Sequence, residues 1–248
     1  MTHRTIFTVL PCAMDEMYDE TKLRSSFDSR RTRVSKGYHT KLGKADGTIM
    51  SNAFLDAVKK RRTYYGLSKE QIVPADRIVE IVNEAVLHTP SAFNSQSARV
   101  VVLFGEQSDK LWEMTKETLR RIVPADQFAA TEAKLRGFAS GYATLLFFED
   151  QAVVQSLQRQ FAAFADQFPI WSNQSSAMLQ FVVWTALEQE GLGASLQHYN
   201  PLIDESVAKT WNLPGEWKLI AQMPVGKPTQ APGDKSYQPL EERVRVFK

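Results

Sequence analysis

The sequence predicts an α+β fold, one mostly antiparallel sheet flanked by helices with a long buried helix at its centre, and three observations carry that expectation. Short apolar, β-branched or aromatic runs at 99–104, 144–148 and 218–225 have the length of buried strands. Segments with apolar residues at helical spacing precede and separate them. One segment, 176–190, is apolar nearly all round and so belongs inside the protein. At 248 residues and 43% hydrophobic content, the chain can bury one good core.

Residues 1–50 mix Ser, Thr, Arg and Lys with few aliphatics after Leu10, too little apolar surface to offset the entropy of ordering. They read as a disordered extension: a leader, a targeting segment or an over-long start before Met50. The globular domain is expected over 51–248. Its first helix carries Phe54, Leu55 and Val58 on one face and ends in the basic run Lys59 to Arg62. A second follows Pro74, with Asp76 as its cap and Ile78, Ile81, Val82, Ala85 and Val86 at helical spacing, and stops before Pro90. The strand at 99–104 is closed by Gly105. Helices at 109–123 and 126–138 are set off by Pro124, and 144–148 is the second strand. Phe161, Phe164, Phe168 and Trp171 are spaced as on one helix face, which either lines a ligand pocket or, the favoured reading, fills core. Gly191 and Gly193 close the central helix in the manner of a left-handed cap. A helix at 204–211, a strand at 218–225 and an extended tail at 244–247 complete the chain.

The composition excludes several function classes. A net charge of +2 is too small an electrostatic footprint for nucleic acid. Residues 1–50 hold nine Lys/Arg against six Asp/Glu, leaving 21 against 22 for the rest, so the domain is close to neutral. The single cysteine, Cys12, gives the core no disulfide framework, thiolate metal site or buried nucleophile. His88 and His198, the only core histidines, are too far apart in sequence and too poorly partnered to make a metal site; His88 falls at a helix end. No apolar run reaches the roughly 20 residues of a membrane span. The expectation is a soluble, cytoplasmic protein acting on a small molecule, with organellar targeting by residues 1–50 left open.

Three clusters carry chemistry. Lys59-Lys60-Arg61-Arg62-Thr63 ends the first helix, where two guanidinium forks and a hydroxyl can surround a phosphate, although basic residues also gather at helix ends to complement the dipole. Residues 90–97 form a loop of Pro, Ser, Asn and Gln suited to the edge of a heterocycle, or to an ordinary turn. Gly191-Leu192-Gly193-Ala194-Ser195-Leu196 lets backbone approach a planar ligand closely.

Together, in this order, the three clusters resemble the nitroreductase superfamily from about Ser51 to the C-terminus. Arg61-Arg62-Thr63 resembles its Arg-Arg-Ser phosphate motif, Ser91 to Gln96 its Pro-Ser-x-x-Asn-x-Gln flavin loop, and Gly191 to Ser195 its Gly-Leu-Gly segment. Residues 61–65, 196–203 and 242–247 resemble more narrowly the compact subgroup of yeast stress-response and bacterial copper-induced nitroreductases. The resemblance implies an FMN-dependent homodimer that oxidises NADH or NADPH and reduces nitroaromatics, quinones or N-oxides in ping-pong order. It implies that Arg61, Arg62, Thr63 and Lys235 hold the phosphate and ribityl chain, and that Ser91, Asn94 and Gln96 bond the pyrimidine edge, in part for the other subunit's flavin. Ser195 and Leu196 would lie beside the ring, with His198 a candidate acceptor-pocket residue. Tyr65 stands where relatives carry a base, Tyr237 where an arginine often stands, and Ser97 where they carry Pro or Lys. With fewer cations at the ring, a low flavin potential is expected. The competing reading is a flavin-binding redox sensor or stress regulator with little turnover.

Overall fold

The computed structural model describes residues 52–248, and the extension expected at 1–50 lies outside them. In chain order these residues form α1 (Ala53–Lys60), β1 (Leu67–Ser68), α2 (Ala75–His88), β2 (Ala98–Phe104), α3 (Glu106–Arg120), α4 (Phe128–Ala139), β3 (Ala143–Asp150), α5 (Gln151–Gln160), α6 (Phe168–Gln189), β4 (Gly193–Ala194), α7 (Asp204–Thr210) and β5 (Trp217–Pro228). Single 3-10 turns cover Ala92–Asn94, Ala162–Gln167 and Leu240–Glu242. The strands pair antiparallel in the order β1-β5-β3-β2, with β4 also on β5. The expected α+β fold is what forms.

Two cores lie on the two faces of this sheet. On one, Ile78, Ile81, Val82 and Ala85 of α2 and Leu179, Val183 and Leu187 of α6 pack on Leu145, Phe147, Ala221, Met223 and Val225. On the other, Leu111, Trp112 and Leu119 of α3, Phe128, Leu135 and Phe138 of α4, and Val207 of α7 pack on Leu103, Leu146, Phe148 and Leu219. Such a sheet needs apolar residues on both faces, which is why β3 reads as a continuous run and not as an alternation. The pairing of β3 with β5 slips between Phe147 and Phe148, where Phe147 faces Ala221 but Phe148 faces Leu219. That bulge, leaving Ile220 unpaired, turns Leu219 to the second core while Ala221 stays in the first. At Gly226 a Cβ would stand 2.6 Å from the Ser68 carbonyl, so β1 fits against β5 only where that side chain is missing.

Several local expectations are corrected. Pro74 precedes α2 with no side-chain cap, and Asp76 sits inside the first turn, where its charge still favours the helix. The central helix starts at Phe168, not 176, and α5 was not anticipated. Phe161 and Phe164 lie outside α6, so the four aromatics do not share one helix face. The 244–247 tail is exposed and pairs with no strand. Gly191, at φ 84°, does supply the left-handed end of α6. His88 ends α2 with its Nε2 3.3 Å from the Glu84 carboxylate. No helix among the described residues is long and apolar enough to cross a membrane.

Candidate functional site

Asn52 starts α1, its Oδ1 accepting from the Leu55 N–H, and the helix ends where Arg61 turns to extended backbone. The residues after it are stitched to two other elements. The Arg62 N–H donates to Glu188 Oε2 of α6 at 2.7 Å, Thr63 bridges Ala194 of β4, and the Tyr64 N–H donates to the Ala194 carbonyl at 3.0 Å. The first and third motifs are therefore side by side in one chain. Arg61 lays its guanidinium 4.2 Å above the Trp184 ring, and its Nη1 is buried with no hydrogen-bond partner among the described residues. Arg62 Nη2 donates to the Gly233 carbonyl, which brings the segment carrying Lys235 to the motif. Lys235 itself lies 5.2 Å from the Tyr237 ring, and Tyr65 is exposed. A hollow of about 290 Å³ opens beside the motif, lined by Lys60, Tyr64, Glu188, Gly191, Leu192 and Pro228. Burial pushes the Glu188 carboxyl above the ordinary range, against the downward pull of the Arg62 N–H and of the Arg61 and Arg62 charges.

The second motif is a strained loop clamped from behind. Phe93, Asn94 and Gln96 have φ of 56°, 49° and 49°, a region that non-glycine residues occupy only when their surroundings impose it. Two anchors do so. Phe93 packs against Phe161, Phe168 and Trp171 with ring centroids 4.9, 5.3 and 5.8 Å away, so these aromatics gather around the loop. Ser97 donates to Glu149 Oε2 at 2.5 Å, and Ser172 of α6 donates to the same oxygen at 2.6 Å. Glu149 is 1% exposed, its Oε1 has no partner among the described residues, and burial pushes its carboxyl up despite the two hydroxyl donors and Arg99.

In front of the loop lies a cavity of about 470 Å³, lined by Ser91, Asn94, Gln96, Ser97, Arg99 and Ser175 among others. Asn94 and Gln96 are exposed, whereas Ser91 Oγ accepts from the Gln96 N–H at 3.0 Å and the Ser97 hydroxyl is spent on Glu149. Arg99 reaches the Gln96 carbonyl at 2.8 Å and Asp150 at 2.9 Å. This cavity and the hollow lined by Lys60, Tyr64 and Glu188 share no lining residue. In the third motif Ser195 is fully buried and accepts from Gln197 Nε2 at 3.0 Å, Leu196 is half-buried, and His198 is exposed. No group of His, Cys, Asp and Glu suited to a metal occurs among the described residues.

Reasoning from sequence missed Trp184, Glu188, Glu149 and Arg99. For Glu149 a signal existed, since an acid closing an otherwise apolar strand must be satisfied inside the protein. For Trp184 and Glu188 the one signal was their separation by four positions, which places them on the same side of a helix.

The model of the Nitroreductase family matches residues 58–227. Nitroreductase CinD from Lactococcus lactis, solved in complex with chloramphenicol, is 46% identical, with a TM-score of 0.73 over 79% of this chain and 100% of that one. The same enzyme has been solved with 4-nitrophenol. Nitroreductase FRM2 of Saccharomyces cerevisiae is 33% identical over 189 residues, 74% of this chain and 92% of the yeast protein. A nitroreductase structure from Saccharomyces cerevisiae is 31% identical, with a TM-score of 0.64 over 72% of this chain and 97% of that one.

Proposed function

The chain belongs to the nitroreductase family and is an oxidoreductase, and from that premise we propose that it binds FMN and uses NADH or NADPH to reduce nitroaromatic, quinone or N-oxide acceptors in ping-pong order. The observation that carries the reading is Arg61. A buried guanidinium donor without an acceptor is costly, and a phosphate supplies what Nη1 lacks. The donor set fits: Arg61, Arg62, Thr63 and Lys235 would hold the phosphate and ribityl chain, with Tyr65 beside them. The amides of Asn94 and Gln96, exposed at the mouth of their cavity, would take the pyrimidine edge together with Ser91.

FMN, when bound, would supply the hydride-transfer redox chemistry. The chain supplies position and environment. Glu149 grips Ser97 and fixes the loop that presents Asn94 and Gln96, while β4 leads into Leu196 next to the arginine motif, where this half-buried side chain would wall the ring, with Ser195 buried behind it. The chloramphenicol and 4-nitrophenol complexes of CinD support nitroaromatics as the acceptor class. His198, exposed after that wall, is proposed to contact the acceptor.

Two observations support a homodimer with FMN at the interface. Phe54 and Leu55 of α1, Val86 and Leu87 of α2, and Met178 and Val182 of α6 are exposed apolar residues that a second copy would cover. The loop cavity and the hollow beside Lys60 and Glu188 are separate within one chain, and a second copy can bring one subunit's loop to the other's motif.

The test is direct. Purified full-length protein is expected to be yellow, to release FMN, and to sustain NADH or NADPH oxidation with 4-nitroquinoline N-oxide. Replacing Arg61 and Arg62 together with Leu is expected to weaken FMN binding at least about a hundredfold, since each charge-assisted bond contributes on the order of 2 kcal/mol. Unchanged flavin retention in the double variant would overturn the assignment, and flavin reduction without sustained acceptor consumption would overturn turnover.

A further inference from the structure

We propose that Trp184 is the positioning residue that holds Arg61 ready for an anion; this rests on the phosphate reading above and extends it to a residue of α6. An arginine that must bind a ligand anion has a physical problem. Paired with a carboxylate it is well placed, but its charge is offset and its N–H fork is occupied. Left unpaired it wanders, and each ligand encounter has to order a long side chain.

An aromatic face resolves both difficulties, because it holds the guanidinium plane through the ring quadrupole while all of the N–H groups, which lie in that plane, stay available at its edges. Arg61 sits over such a face: its guanidinium carbon is 4.2 Å from the Trp184 centroid, and its buried Nη1 has no hydrogen-bond partner among the described residues. One turn further along α6, Glu188 takes hold of Arg62 by its main-chain N–H at 2.7 Å and leaves that guanidinium free of it. Trp184 and Glu188, four residues apart on one helix, thus hold the two arginines by the parts that an anion does not need.

A tryptophan that merely filled core would affect every ligand alike, whereas one that aims a phosphate-binding group affects only ligands with a phosphate. Flavin-free full-length protein is titrated with FMN and with riboflavin, following flavin fluorescence. The wild type is expected to prefer FMN. Trp184→Leu is expected to weaken FMN about tenfold and to change riboflavin by less than about twofold, and Trp184→Phe, which keeps a ring face, to retain most of the preference. If Trp184→Leu does not fold, Trp184→Met replaces volume without a ring face. A ratio of the two affinities unchanged by these variants, through loss of both or of neither, overturns the proposal. Loss in Trp184→Phe as large as in Trp184→Leu overturns the role of the ring face. A wild type that binds both flavins equally instead refutes the phosphate reading on which the proposal stands.

Discussion

Glu149 holds two hydroxyl donors on one oxygen and none on the other, and its buried carboxyl keeps its proton to higher pH than the unfolded chain does. The sign follows from linkage. The stabilising contribution is present in full below the unfolded value and is lost as pH rises through the raised folded value, beyond which a buried charge opposes folding. Glu149→Gln, neutral throughout and still able to accept a hydroxyl, is expected to show a smaller fall in Tm than wild type from about pH 5 to about pH 8. Parallel declines in the two proteins would refute this. Beside it, Asp150 offsets the charge that Arg99 would otherwise present to the loop cavity, in keeping with the low potential expected from Tyr65, Tyr237 and Ser97 for the FMN proposed to bind there. Asp150→Asn keeps an N-cap for α5 and uncovers that charge, so the flavin potential should rise by the order of tens of millivolts in spectroelectrochemical titration.

At the scale of elements, the end of α6 offers a clean measurement. Gly191 has φ 84°, and a Cβ there meets only Ile72 Cδ1, at 3.7 Å, so Gly191→Ala should cost about 1 kcal/mol of backbone strain without a clash. A Tm lower by a few degrees is the expected result; an unchanged Tm would mean that the left-handed turn is not needed. The same helix shows where sequence was readable. Its apolar second half and its glycine stop were legible because packing and cap chemistry both act there. Its first half was not, because Ser172 to Ser176 reads as a loop. These polar residues are satisfied where they stand: exposed Asn173 donates to the Pro169 carbonyl, Ser175 to the Trp171 carbonyl, and buried Ser172 to Glu149. The arginine motif and the 91–97 loop were likewise visible as residue types in order. Their supports were not, since Trp184, Glu188 and Glu149 act through contacts made at long range in the chain.

At the scale of the whole molecule, the exposed apolar residues of α1, α2 and α6 and the two separate hollows belong to one expectation. Met178→Glu with Val182→Glu is expected to shift the protein to chain-mass monomer in analytical ultracentrifugation and to deplete its flavin at the same time. A monomer that keeps its flavin would separate binding from assembly and refute the composite site.

Because β3 is paired along both edges and covered on both faces, its amides can meet solvent only when the molecule opens globally. Deuterium uptake should therefore be slowest across Ala143–Asp150, which serves as an internal clock for complete unfolding. The 91–97 loop, half exposed and held by a few contacts through Phe93, Ser97 and Arg99, should exchange through small local excursions instead. A cofactor that binds only the folded chain would slow β3 by the full factor of its binding linkage, and would slow the loop as much only where the loop's opening releases it, so one labelling experiment shows whether those small excursions break the site.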